Sequence, residues 1–349
     1  MFELSIKMVE NGVRKGIFPS AALAIGVRDK VLARKTWGNT CIDPPFSAVN
    51  SQTLYDMASL SKIIGTSMVA FHMIESGKLS LYDHLADFFS VPKEKENITI
   101  LHLMTHTSGI AAHFLLSEET ADPKDAAQAV LEYPLAGPVG GQTIYSCMGY
   151  ILLGKILEKI GDAPLDEMAG KYVFRPLGMV RTCYCPSGLA ACTERDPVTG
   201  RYLCGVVHDE NARFLGGVSG NAGVFSTLDD MTRFASMLAC GGTIGSKTVL
   251  SPPMMAAATK NYTQDFSQNR GLGFLLAGKG EFMGDLFSRE SFGHTGFTGT
   301  SLAVDPTNGL FVVLLTNRVH PTRKNSRIIR FRRLLHNRIA SEFFSVPSP

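Results

Sequence analysis

The strand-forming segments of this 349-residue chain lie at its two ends, with a long helix-forming stretch between them. After a first amphipathic helix, residues 21–27 and 31–35 read as a hairpin around Arg28-Asp29-Lys30. From Ser59 to about Leu177 apolar residues recur at helical spacing. Helices are predicted over 59–76, 81–89, 98–105, 123–131 and 147–160, and again over 228–238 and 252–258. Residues 178–221 are rich in turns. Strands return over 272–276, 282–287, 291–294, 300–304 and 310–315, the last two joined by Asp305-Pro306-Thr307-Asn308-Gly309. This order predicts an α+β fold, an antiparallel sheet flanked by helices beside a mainly helical second lobe. The sheet lobe is expected from about 1–58 and 222–349 and the helical lobe from about 59–221, within one domain of residues 1–349.

The totals exclude several functions. A net charge of +3 gives no ground for nucleic-acid binding. The basic residues that cluster late in the chain, Arg327, Arg330, Arg333 and Arg338, alternate with Ile328, Phe331, Leu335 and Ile339, as on a helix with one packed face. No apolar run reaches bilayer length, and the first ten residues lack the apolar core of a secretory signal. A cytoplasmic location is therefore expected. Seven cysteines, an odd number, fit reduced thiols better than a disulfide framework. Cys183, Cys185, Cys192 and Cys204 lack the paired spacing of a zinc ribbon. No metal or cofactor is expected.

Chemistry enters at Ser59-Leu-Ser-Lys62. On a helix that starts near Ser59, residues three apart share a face, so the lysine amine lies against the serine hydroxyl. A serine hydroxyl needs a base to become a nucleophile. A lysine serves as that base only if its proton affinity falls toward neutrality. The second copy of the pattern, Ser90-Val-Pro-Lys93, carries a proline that opposes a helix. Two other stretches can supply partners. Tyr145-Ser146-Cys147 puts a phenol just before a strong helix, where it can act as base or relay. His294-Thr295-Gly296 sits on a predicted strand, where the histidine can hydrogen-bond the tyrosine or lysine and an exposed amide can hold an oxyanion. His102 and His106, four apart, read as a structural turn because glutamate is missing after the first.

In that order, Ser59-x-x-Lys62, Tyr145-x-Cys147 and His294-Thr-Gly296 resemble the three signatures of the serine beta-lactamase-like superfamily of the class C type. That superfamily includes class C beta-lactamases, D-Ala-D-Ala carboxypeptidases and family VIII carboxylesterases. Gly16-Ile-Phe-Pro19, Leu103-Met-Thr-His-Thr-Ser-Gly109 and Gly217-Val-Ser-Gly-Asn-Ala-Gly223 also resemble it, so the likeness spans nearly the whole chain. The resemblance implies that Ser59 is acylated, that Lys62 and Tyr145 share the proton transfers and that His294 supports the tyrosine. It also implies an oxyanion hole from the backbone N–H groups of Ser59 and Phe297, with Cys147, Thr295, Gly296 and Phe297 meeting the substrate.

Cys147 stands where the family pattern has asparagine, and a thiol is a poor hydrogen-bonding partner for an amide. His294 replaces a fixed cation. Both departures favour a small or medium, weakly anionic ester, and so a carboxylesterase. A beta-lactamase, a D-amino-acid peptidase or amidase, and an acyltransferase are the alternatives that share the acyl-enzyme. A non-catalytic binding protein on the same fold is the reading from another class. The partner expected in every enzymatic case is a small-molecule ester or amide.

Overall fold

In the computed structural model, which describes residues 1–345, the two ends of the chain meet in one sheet. Strands β1 (Ser20–Val27) and β2 (Lys30–Gly38) form the N-terminal hairpin. Two short pieces, β3 (Tyr55–Asp56) and β4 (Cys183–Tyr184), flank β5 (Val224–Ser226) in a separate three-stranded sheet. A small hairpin, β6 (Thr243–Ile244) and β7 (Lys247–Thr248), follows. Then come β8 (Leu275–Leu276), β9 (Phe292–Thr295), β10 (Ser301–Asp305) and β11 (Leu310–Thr316). The main sheet runs β2-β1-β11-β10-β9-β8 and is antiparallel throughout. The α+β class expected from the sequence is the one observed.

Side-chain alternation explains why this sheet carries helices on both faces. Ala21, Leu23 and Ile25 of β1 and Leu310, Val312 and Leu314 of β11 point to one side. There they meet the first helix (Glu3–Arg14) and the last (Ile328–Phe344), with the Phe18 ring edge-on to Phe331 at 5.1 Å. The intervening Ala22, Ala24, Phe311, Val313 and Leu315 point to the other side, into the larger core with Phe234 and Leu238 of the helix Leu228–Ala239. That core continues into the helix Cys147–Gly161, whose apolar run Met148 to Leu153 is buried.

Three expectations change. The segment 282–287 forms turns rather than a strand. Gly284 adopts φ +81°, and the rings of Phe282 and Phe287 pack edge-on to His336 of the last helix. Its apolar spacing reflects packing against that helix, not a ladder. The helix predicted over 81–89 contracts to a single 3-10 turn, Leu85–Asp87. The expectation of free thiols fails at Cys192 and Cys204, which are disulfide-bonded. Hydrogen bonds from the Thr193 N–H to the Leu203 carbonyl and from the Leu203 N–H to the Glu194 carbonyl close a hairpin that sets them opposite one another. This bond removes the cysteine argument for a reducing compartment. No helix among the described residues is long and apolar enough to cross a membrane.

Candidate active site

Ser59 follows β3 on a turn held by a buried carboxylate. Asp56 accepts from the Ala58 N–H at 2.8 Å and, through its other oxygen, from the His208 N–H at 2.7 Å. Between them Ala58 takes φ +47°, a left-handed conformation that an alanine adopts only at a cost of about 1–2 kcal/mol. This sharp turn presents the serine at the start of the helical segment. Burial pushes the Asp56 carboxyl up to about 6, against the two N–H bonds that pull it down.

The next turns depart from a regular α-helix. Lys62–Thr66 is a π turn that runs into the α-helix Ser67–Glu75, and such widened turns recur at functional sites. Lys62 is fully buried. Its Nζ donates to Ser59 Oγ at 3.2 Å, to the Asn221 carbonyl at 2.9 Å and to Cys147 Sγ at 3.5 Å. Asn221 belongs to a glycine-rich segment that must pass close to the helix Cys147–Gly161. A Cβ on Gly220 would sit 1.9 Å from the Tyr150 carbonyl. Burial pulls the proton affinity of Lys62 down. The negative charge that Cys147 and Tyr145 carry when ionised pulls it up further, and the net direction is upward. The lowering that a lysine base requires is therefore not what this environment provides.

Ser146 caps the helix Cys147–Gly161 by accepting from the Gly149 N–H at 2.9 Å. That cap fixes Tyr145 immediately before it. The Tyr145 ring lies 4.4 Å from His106 and 5.0 Å from Lys62 Nζ, and its buried hydroxyl makes no hydrogen bond of good geometry. His106 holds the segment through Nδ1, which accepts from the Ser146 N–H at 3.0 Å. Read as a structural turn in the sequence, it proves to be the support of the tyrosine loop. Its only sequence signal was its place in Leu103-Met-Thr-His-Thr-Ser-Gly109.

His294 on β9 is buried, with Nδ1 on the Thr295 carbonyl at 2.9 Å and Nε2 unpartnered. Burial, then the Arg270 and Lys62 charges, hold it neutral, well below the usual histidine range. Its ring stands 5.9 Å from that of Tyr145 and makes no hydrogen bond to it or to Lys62, unlike the sequence expectation. The end of β9 is tied to the serine turn. Thr298 Oγ1 donates to the Asp56 carbonyl at 2.7 Å and Thr300 Oγ1 to the Met57 carbonyl at 3.1 Å. A Cβ on Gly296 would lie 2.5 Å from the same Met57 carbonyl, so only glycine allows this approach.

Ser59, Tyr145, His294, Thr295, Gly296 and Phe297 line one open cavity of about 420 Å³. Among the described residues the N–H groups of Ser59 and Phe297 have no intramolecular acceptor. Cys147 does not line the cavity; its thiol faces Lys62 instead. Arg270, which the sequence did not single out, lies in the wall with its guanidinium carbon 5.2 Å from the centre of the Tyr145 ring.

Comparisons with known proteins give the family and the fold. The chain is 29% identical to a protein named as a putative D-alanyl-D-alanine carboxypeptidase from Salmonella agona, over 92% of this chain and 83% of that one. A penicillin-binding protein homologue from Caulobacter crescentus superposes with a TM-score of 0.75 at 18% identity, covering 97% of each chain. EstCE1, a hydrolase with promiscuous acyltransferase activity, superposes with a TM-score of 0.74 at 19% identity, covering 96% of this chain and 97% of that one. The beta-lactamase family model matches residues 6–337, and the chain therefore belongs to the beta-lactamase family of serine hydrolases.

Proposed function

We propose that the chain hydrolyses carboxylic esters through an acyl-enzyme on Ser59. The observation that carries this reading is the contact of Ser59 Oγ with the buried Lys62 Nζ at 3.2 Å, in a cavity that Ser59 lines together with Tyr145, whose oxygen has no partner. Ser59 Oγ attacks the ester carbonyl and loses its proton to Tyr145, which reacts as the phenolate and becomes the phenol, with Lys62 kept as the ammonium that steadies both. The oxyanion forms against the Ser59 and Phe297 N–H groups. As the tetrahedral intermediate collapses, Tyr145 returns the proton to the departing alkoxide, leaving the acyl group on Ser59. Water then attacks that acyl ester by the same route in reverse, and the carboxylic acid leaves. The reacting groups sit in the seam between the sheet end of β9 and the helical segment that follows Ser59, so we place the division of lobes there.

An ester is favoured over an amide by Cys147, whose thiol turns toward Lys62 and offers no side-chain amide to orient the acyl amide of a peptide or lactam. The test is a side-by-side rate measurement on short-chain p-nitrophenyl esters and a chromogenic cephalosporin, with Ser59→Ala as control. Ester turnover that disappears in Ser59→Ala, with little lactam turnover, is the expected result. Brisk lactam turnover would favour the lactamase or peptidase reading. Product formation diverted to a new ester by an added alcohol would favour acyl transfer.

A further inference from the structure

The first and last helices run antiparallel on one side of the sheet. Glu342, near the end of the last helix, accepts from the Leu4 and Ser5 N–H groups at the start of the first. At the other end Arg327 donates to the Lys15 and Gly16 carbonyls. Between the two helices runs an open groove of about 560 Å³ that shares no residue with the catalytic cavity. Its floor is apolar, made by Met8, Gly12, Ile17 and Phe331. A Cβ on Gly12 would lie 3.2 Å from the Phe331 ring, so this glycine lets the helices close beneath the groove. Leu4 and Leu334 stand on opposite rims, 55% and 39% exposed.

The rims are cationic. Lys7 and Lys15 line the groove from the first helix and its end, and Arg330 and Arg338 line it from the last. All four are exposed, and none pairs with a carboxylate among the described residues. No carboxylate among the described residues lines the groove either. Glu342 is occupied in capping the first helix, and the exposed Glu3 and Glu10 of that helix lie outside the lining. The late arginines read in the sequence as the solvated side of a helix thus border an apolar floor.

An apolar floor between two unpaired cationic rims defines the chemistry of what can fill it. A flat bilayer surface would meet the cations and leave the sunken floor uncovered, and so would the phosphates of a nucleic acid. A third α-helix, in contrast, seats in the groove between two packed helices, with interaxial distances of about 8–10 Å. From Leu4 to Lys15 the groove runs about 16 Å, about three turns of helix. We propose that this groove docks an amphipathic α-helix of a partner protein. The partner's apolar stripe lies on the floor, and its flanking aspartates and glutamates meet Lys7 and Lys15 on one rim and Arg330 and Arg338 on the other. The opposite side of the last helix, with Ile328, Ile329, Arg332 and Arg333, walls the catalytic cavity, so the docked partner sits beside the ester site without filling it. The inference does not depend on the chemistry assigned to Ser59.

The probe is a fluorescein-labelled peptide of about four helical turns, with leucines at i, i+3, i+4 and i+7 and glutamates on both flanks. One comparison peptide has the same composition in shuffled order, and another has lysine in place of every glutamate. Fluorescence anisotropy at physiological ionic strength gives the affinities. The unmodified protein binds the striped acidic peptide at least about tenfold more tightly than either comparison, and far-UV circular dichroism shows the peptide gaining helix. Lys7→Glu combined with Arg330→Glu, one charge reversed on each rim, weakens binding about tenfold or more, and so does Leu334→Ser. These side chains are exposed, so the variants fold, and an unchanged thermal unfolding midpoint checks that they do. No binding of the striped peptide, equal binding of the shuffled one, or an affinity that survives the charge reversal overturns the docking site. Co-sedimentation with phosphatidylglycerol vesicles that the same charge reversal abolishes, in place of peptide binding, overturns it in favour of a lipid surface.

Discussion

Replacing Asp56 by asparagine tests whether the turn before Ser59 is built on a strained, buried carboxylate. The Asp56 carboxyl is pushed from 3.8 up to about 6, because burial outweighs the N–H bonds from His208 and Ala58. Its folded-state value lies above its unfolded one, so the folded chain binds this proton more tightly between the two. The contribution to stability is then complete below about 3.8 and is lost as pH rises through about 6. At about 1.4 kcal/mol per tenfold change in an equilibrium, the full loss comes to about 3 kcal/mol at neutral pH. Of that, about 1.3 kcal/mol falls between pH 5 and pH 7. An asparagine in its place keeps one acceptor for the two N–H groups and sets its own NH2 against the other, a penalty of about 1–3 kcal/mol that does not change with pH. Urea denaturation of both proteins at several pH values across that window gives the comparison. The advantage of the unmodified protein over Asp56→Asn shrinks by about 1.3 kcal/mol from pH 5 to pH 7. A difference that stays flat over the window would refute the account of the Asp56 turn.

Two further changes probe the groups around the serine. Lys62→Met removes the cation that touches Ser59 Oγ and lowers the acylation rate by about 10²–10⁴-fold. Because the same change also removes a buried charge, unfolding stability moves little or rises; kept activity with a large loss of stability would mean that Lys62 is structural. Cys147→Asn supplies the side-chain amide that the thiol lacks, and the ratio of cephalosporin to p-nitrophenyl ester turnover rises about five- to tenfold, the value of one net hydrogen bond. A ratio that does not move would show that the residue at 147 does not govern the choice between ester and amide.

The elements that carry the motifs were readable because their signals are local. The helix Cys147–Gly161 has a long apolar run behind a serine cap, and β10 and β11 are short, largely apolar runs joined by a clear turn. Where the sequence misled, side chains answer to partners far away along the chain. Phe282 and Phe287 are spaced like strand residues and pack on His336 instead. The sheet β3-β5-β4 went unseen because its strands are only two or three residues long. The π turn at Lys62–Thr66 has no pattern of its own, and the pairing of Cys192 with Cys204 depends on hairpin register rather than spacing. At the site, Ser59, Lys62, Tyr145 and His294 were all singled out and are all brought together. The lysine's partner at the Asn221 carbonyl was not, since a backbone acceptor leaves no mark in side-chain identity. Arg270 was missed for a related reason. A lone arginine in a loop looks solvated until the fold shows it buried against Tyr145.

The central claim is that Ser59 is the residue acylated. Its most direct measurement is intact-mass and peptide-mapping analysis after treatment with a fluorophosphonate. One adduct per chain, located on Ser59, absent from Ser59→Ala and formed much more slowly in Lys62→Met, is the predicted result. An adduct on a different serine, or none at all on a folded protein, would contradict it.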